Sequence, residues 1–496
     1  MPTIEKNPFE TISPEAAGIP SGAVTAFLDR LLEHRLNLHS LLIIRHGKMA
    51  AEGYWPPYDK DRKHRLYSAS KSFASLAVGR MMDEGRIKLS DRIVDFFPEY
   101  LPEKVHPWME MSTIRDMLTM ADCHAQPTHR FGQPDWVASW FDTAPNHIPG
   151  TIFQYTSMAS NLLCAIIEKL SGMKFLTYMR PVFDEIGVSE DIWCVETPEG
   201  NSFGGSGVIA TPRDFAKTVL LCMNKGRHNG RQLISEAYID AATSKQIDTY
   251  VMVGGTHDID HQLGYGYQIW LSRENGFAFA GMGGQLALAL PDEELLLVTT
   301  GDTQGTAPDT QEIRSAFFDL IYKNLSSVPL PENRAAYALL SEKLNNLKPM
   351  TVDGGVTSPI SAEINGAEYI MEDNHAGITK LRFEFTGDTG SFNYTNKTGD
   401  HSIRFGFGKQ IQGVFPETHY SGPRIATPKN AGHEIHTSAA WRGDRTLIVE
   451  CFVTDDYLGS LQINAAFTPG HVTLVFVKYA ENFLDEYQGY AVGRMK

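Results

Sequence analysis

Cysteine is scarce. The five cysteines in 496 residues (Cys123, Cys164, Cys194, Cys222, Cys451) are scattered and odd in number, and no two form a Cys-x-x-Cys pair. This excludes a disulfide framework and predicts reduced, small, buried residues in a cytoplasm. There is no His-Glu-x-x-His, and the 17 histidines do not fall at ligand spacings, so neither a metal site nor a cofactor is expected. No apolar run approaches the ~20 residues of a membrane span. The stretch Met1–Pro8 lacks the apolar core of a signal peptide, which adds to the cytoplasmic expectation. Basic runs are missing too. With 44 Lys and Arg against 59 Asp and Glu, the net charge is −15. Such a balance argues against a nucleic-acid or anionic-membrane partner.

What is there is ordinary for a globular chain: 42% hydrophobic and 21% charged residues, with core enough for two or three domains. One stretch organises the rest, Leu66-Tyr67-Ser68-Ala69-Ser70-Lys71-Ser72-Phe73. The small and apolar residues after it predict a helix that stops at Glu84-Gly85. On a helix, i and i+3 share a face about 5–6 Å apart at Cβ, so Ser68 and Lys71 can touch. A desolvated lysine can take a serine's proton, and a helix N-terminus offers N–H groups to a developing oxyanion. Taken alone the motif is weak, because serines also cap helices and lysines coat them.

The chain before it predicts a helix over Ser21–Arg35 capped by Ser21, then a β-hairpin around His46-Gly47-Lys48. A helix, antiparallel strands and another helix indicate an α+β arrangement, an antiparallel sheet with helices packed on it. Residues 87 to about 225 read as a mostly helical insertion, including a strong helix over Ser157–Ser171 and another opened by Thr211-Pro212. Trp136, Trp140 and Phe141 are expected in its core. Strands are expected over Gly264–Trp270, Phe277–Gln285, Leu286–Leu290 and Leu295–Thr300, and one amphipathic helix over Ile313–Leu325. Residues 1–328 form the first domain in this reading and 329–360 a linker. Residues 361–496, with short evenly spaced strands, form an antiparallel β-barrel or sandwich.

Two further pieces carry chemistry. Tyr155 and Ser157 stand on the loop entering the strong helix. A phenol beside a lysine ammonium is expected to have a lowered pKa and to shuttle protons. The alternative is a half-buried tyrosine and a capping serine. Gly281-Met282-Gly283-Gly284-Gln285 is glycine-rich, so a ligand or another backbone can come close, and the Met282 or Gly283 N–H can serve as an oxyanion donor along a strand edge. A glycine bulge in an ordinary sheet is the bland alternative.

Together, Ser68-x-x-Lys71, Tyr155-x-Ser157 and the Gly-rich segment ending Gly284-Gln285 resemble the serine β-lactamase and penicillin-binding-protein superfamily. The closest likeness is to the class C branch, with its esterases, D-amino-acid peptidases and 6-aminohexanoate dimer hydrolases. Flanking stretches agree, among them His39-Ser40, Pro149-Gly150 and Gly204-Gly205-Ser206-Gly207. The resemblance spans roughly residues 10 to 325. It implies an antiparallel sheet flanked by helices with a helical domain beside it, as in β-lactamases and transpeptidases. It also implies Ser68 as the acylated nucleophile, Lys71 as its base or electrostatic partner, and Tyr155 as the proton donor to the leaving group. The N–H groups of Ser68 and Met282 would form the oxyanion hole, and Ser157 would stand at the substrate-amide position.

Two departures count. Ser157 stands where the family often has Asn, and Gly281-Met282-Gly283 carries no charge where the family often has Lys-Thr-Gly or His-x-Gly. Both favour a neutral small ester or amide, including an unusual peptide bond, over a β-lactam or cell-wall peptide. Acyl transfer to an alcohol or amine and a non-catalytic sensor remain the alternative functions. The C-terminal barrel loosely resembles lipocalin-like appendages, as a cover for the cleft or a homo-oligomer interface. Trp136, Phe203 and Tyr265 are candidate pocket walls, with core packing as the other reading. The loops Cys123–Pro127 and Tyr250–Met252 are candidates for shaping the pocket.

Overall fold

The computed structural model describes residues 8–128, 133–250, 259–305, 309–420, 432–479 and 484–496. The chain divides into two compact units, Met1–Leu347 and Lys348–Lys496. Val251 and Met252 lie outside the described residues.

In the first unit, helix α1 (Ser21–Glu33) leads into strands β1 (Leu38–Arg45) and β2 (Lys48–Tyr54). Ser21 is not the cap: Pro20 holds that position, and the Ser21 hydroxyl donates to Glu15 at 2.8 Å. The later strands are β3 (Trp270–Leu271), β4 (Phe277–Gly281), β5 (Gln285–Leu290) and β6 (Leu295–Gly301). They join β1 and β2 in one sheet of order β2-β1-β6-β5-β4-β3, antiparallel throughout. The expected strand over Gly264–Trp270 shrinks to its last residue. Gly264 (φ 120°) and Gln268 (φ 59°) break the extended backbone, which a pattern of alternating residues does not reveal.

Every residue of β1 is buried, because helices cover both faces of the sheet. On one face Phe27, Leu31, Leu41, Ile43, Leu288 and Leu297 share a core with Ile313, Phe317 and Ile321. Each such side chain contributes about 1.5–3 kcal/mol by leaving water. The last three residues belong to a run expected as one helix. It is instead an α-helix, α7 (Asp309–Ala316), continued by a π turn over Phe317–Ile321 and a 3-10 turn over Tyr322–Asn324. The wider π turn keeps Phe317 and Ile321 buried. On the other face Phe279 meets Phe73 at 6.2 Å and Phe215 at 6.5 Å. Those rings come from α2 (Ser70–Asp83) and α6 (Pro212–Met223).

The block between them is helical, with α3 (Ile114–Leu118), α4 (Trp136–Asp142) and α5 (Ser157–Ser171). Thr113 and Asp116 close a capping box on α3, and Thr211 caps α6 with Pro212 in its first turn. Helix α8 (Arg334–Asn345) packs on α1 and β2 through buried Leu340 and a Lys343–Asp29 ion pair.

The second unit is a closed barrel. Among the described residues nine strands, from β7 (Tyr369–Met371) to one over Gly489–Met495, form the ring. Eight neighbouring pairs are antiparallel, and the ring closes by a parallel pairing of Gly406 with Ser438 and Phe407 with Ala439. An odd ring requires one parallel pair, which sets this barrel apart from the eight-stranded meander of lipocalins. Its interior is filled by packed rings, Phe383 against Phe392 at 5.2 Å and against Phe467 at 5.6 Å.

Candidate active site

The nucleophile candidate sits on a bend. A short strand, His64–Arg65, runs through Leu66 to Tyr67, whose φ of 46° turns the chain into a 3-10 turn over Tyr67–Ala69 and then into α2. A left-handed tyrosine costs about 1–2 kcal/mol. Its ring is fully buried, with the Arg65 guanidinium 5.0 Å above it, which offsets that cost. Ser68 therefore projects from the turn just ahead of the helix, half-buried, while Lys71 is 1% exposed.

Lys71 Nζ lies 3.1 Å from Ser68 Oγ, 3.2 Å from Ser157 Oγ and 2.6 Å from the Gly205 carbonyl. The carbonyl can only accept, so the amine donates there. The capping reading of Ser157 fails for a local reason. Thr156 caps α5 by accepting from the Met158 N–H, which frees the Ser157 hydroxyl for Lys71.

Tyr155 is where expectation and structure part. Its phenol pKa is pushed up to about 12, and burial is the main cause. Ser68 and Trp270 hydrogen-bond it and act against that rise. Lys71 Nζ stands 4.9 Å from the centre of the Tyr155 ring, a cation over a π face. The phenol is thus a neutral proton donor at ordinary pH, not a ready phenolate.

Two glycines allow the close approaches. A Cβ on Gly205 would stand 2.6 Å from Ser157 Cβ, so only glycine brings this carbonyl up to Lys71. The Gly205 N–H is held by Asn161 Oδ1 at 3.0 Å. A Cβ on Gly281 would stand 2.1 Å from the Leu66 carbonyl and 3.2 Å from the Ala69 nitrogen. The end of β4 therefore lies backbone to backbone on the segment that carries Ser68. Met282 and Gly283 are not on a strand edge as expected. They form a 3-10 turn, Met282–Gly284, with Gly283 at φ 77°.

Several residues at the site were not singled out from the sequence. Gln268 is fully buried. Its carbonyl accepts from Ser72 of α2 at 2.7 Å, and its side chain accepts from Ser160 of α5 at 2.6 Å and donates to Met117 of α3 at 2.6 Å. It ties together the helices that carry Lys71 and Ser157. Trp270, the partner of Tyr155, stands two residues further on. Trp136, Phe203 and Tyr265 are all buried, at 4%, 6% and 1% exposure, so they pack rather than line an open wall. Cys123 and His124 are buried as well. With Asp122 they bring three donor atoms within 4.8 Å of one another. Those donors already have partners. Asp122 accepts from the Trp140 indole at 2.9 Å and from the Cys123 N–H, and His124 Nε2 faces the Thr143 carbonyl at 2.9 Å. The His124 pKa is raised: burial opposes the charge, but Asp122 outweighs it. The group reads as a buried, hydrogen-bonded Asp–His pair.

A serine and a buried lysine on one helix entry, facing a tyrosine and a serine at the next, beside an antiparallel sheet, define the class of serine β-lactamases and penicillin-binding proteins. The chain belongs to the Beta-lactamase family, whose sequence profile matches residues 24–317. It is 25% identical over 248 residues to a 6-aminohexanoate-dimer hydrolase of Paenarthrobacter ureafaciens, a match spanning 46% of this chain and 61% of that protein. It is 24% identical over 175 residues to Protein flp of Staphylococcus aureus, covering 31% of this chain and 34% of that one. Among solved structures, a family VIII carboxylesterase superposes with a TM-score of 0.52 at 16% identity, covering 64% of this chain and 99% of the esterase. That likeness concerns the fold. No helix among the described residues is long and apolar enough to cross a membrane.

Proposed function

We propose that this chain is a serine hydrolase that cleaves a small, neutral ester or amide through an acyl-enzyme on Ser68. The observation that carries the reading is the Lys71 amine, 1% exposed and held between Ser68 Oγ, Ser157 Oγ and the Gly205 carbonyl. Lys71 takes the Ser68 proton as Oγ bonds to the substrate carbonyl carbon. The N–H groups of Ser68 and Met282 receive the oxyanion. The Tyr155 phenol gives its proton to the leaving alkoxide or amine as the old bond breaks, and the Lys71 ammonium restores it. Water then attacks the acyl group by the reverse proton path. A phenol near 12 suits this donor role. The uncharged turn at Met282–Gly284 suits an acyl group without a carboxylate. The similarity to a 6-aminohexanoate-dimer hydrolase supports a small-molecule hydrolase reading.

The test is intact-protein mass during turnover of p-nitrophenyl acetate, beside Ser68→Ala. The expected result is a transient acetyl adduct on the wild-type protein alone, with continuing nitrophenol release. Turnover retained by Ser68→Ala would overturn the assignment. An adduct that forms and never clears would instead support a sensor.

A further inference from the structure

The turn Met282–Gly284 is held more tightly than a sheet connection requires. Its three consecutive carbonyls are each taken by a different donor. The Gln285 side-chain amide donates to the Met282 carbonyl at 3.0 Å, the Thr303 N–H to the Gly283 carbonyl at 3.1 Å, and the Thr299 hydroxyl to the Gly284 carbonyl at 2.8 Å. Gln285 does more. Its amide also donates to the Gly301 carbonyl at 2.6 Å and accepts from the Gly301 N–H at 3.3 Å, which locks the side chain onto β6. Its backbone pairs with Gly281 in the ladder between β4 and β5. Gln285 is fully buried, so it can have no contact with solvent-borne substrate.

A peptide unit is planar and trans, so fixing a carbonyl fixes the N–H that points the opposite way. Gln285 holds the units on both sides of Met282, the one before through ladder pairing and the one after through the side-chain amide. The three carbonyls are held by Gln285 of β5, by Thr299 of β6 and by Thr303 just beyond β6, and Gly281, at the other end, lies against Leu66 and Ala69. We propose that Gln285 is the positioning residue of the oxyanion hole: its amide sets the turn so that the backbone N–H edge at Met282–Gly283 faces the oxyanion formed on Ser68. The proposal rests on the acyl-enzyme reading above.

The test compares p-nitrophenyl acetate with its thionoacetate analogue, in which sulfur replaces the carbonyl oxygen, for wild type, Gln285→Met, Thr299→Val and Ser68→Ala. A well-set hole discriminates oxygen from the larger, weaker acceptor sulfur. Gln285→Met should lower kcat about 10–100-fold with KM within about threefold, and should cut the oxygen-to-sulfur rate ratio about tenfold. Thr299→Val should show the same signature to a smaller degree and serves alone if Gln285→Met does not fold. A merely structural residue would change soluble yield and leave the ratio intact. An unchanged ratio in the folded variants, with Ser68→Ala dead, overturns the positioning role alone. Turnover surviving in Ser68→Ala overturns the acyl-enzyme reading beneath it.

Discussion

Replacing Gly205 by alanine tests the site through a position with no side chain. The added Cβ would stand 2.6 Å from Ser157 Cβ, 2.9 Å from the Ser157 carbonyl and 3.0 Å from its Cα. Carbon atoms pack best at about 3.5–4.0 Å, so the segment or the start of α5 must move by about 1 Å. Backbone lies on both sides, and no flexible side-chain end can yield instead. The Gly205 carbonyl accepts from Lys71 at 2.6 Å, so the shift is passed directly to the amine. Overpacking of this kind costs about 1–3 kcal/mol of stability. A misplacement of about 1 Å in a reacting group costs about 10²-fold in rate. The assay pairs urea unfolding with kcat for nitrophenyl-ester turnover. Gly22→Ala is the control, since it lies in α1 with nothing within 4 Å of a new Cβ, and alanine favours a helix by about 0.5–1 kcal/mol. The expected result is a Gly205→Ala protein that folds, is less stable by the stated amount and has lost most of its kcat. A kcat within about threefold of wild type would show that the Lys71–Gly205 contact does not set the amine for its role.

Two other outcomes follow from the titrating groups. Tyr155→Phe should lower kcat about 10²-fold or more. It should do so equally at pH 7 and pH 9, because a phenol near 12 stays protonated at both; a defect that disappears by pH 9 would show that the phenol is not the donor. Asp302, at 4% exposure, is raised by burial from 3.8 to about 6. Between those values the folded state binds more protons than the unfolded, so stability is fully present below about pH 4 and falls as pH rises through 6. At pH 7 the loss is about 2–3 kcal/mol, and Asp302→Asn should recover much of it there and nothing at pH 4. Equal stability of the two proteins at pH 7 in urea titrations would refute the burial argument.

What was legible in the sequence is what is local. Ser68 and Lys71 meet because they stand three residues apart across the 3-10 turn and the start of α2, and the predicted helix end at Glu84-Gly85 falls where α2 stops. The hairpin of β1 and β2, the strong helix α5 and the strands β5 and β6 also follow from periods of two or 3.6 that need no partner to be read. The contact of Gly205 with Lys71, noticed only as part of a flanking stretch, and the roles of Gln268 and Trp270 escaped notice for the opposite reason. Their meaning lies in partners 134, 108 and more than a hundred residues away. Gln268 also sits at positive φ inside a stretch whose alternation imitates a strand, so its real role as a junction of three helices has no one-dimensional signature.

The phenol of Tyr155 shows why proximity in a motif does not fix electrostatics. A cation lowers a phenol's pKa only when it stands near the oxygen, whose charge it stabilises. Here Lys71 Nζ faces the ring, while the oxygen is given to Ser68 and the Trp270 indole in a desolvated setting. Burial then dominates, and the group moves to about 12 instead of toward neutrality. At pH 7 a phenol of that pKa is ionised in about one molecule in 10⁵, too few for a resident base. Under the proposed acyl-enzyme route the base role falls to the Lys71 amine, which touches both serines and the Gly205 carbonyl. In the same route the acid role falls to the phenol, whose proton is held until the bond to the leaving oxygen or nitrogen breaks. The division between the two groups is set by which atom of Tyr155 the lysine faces.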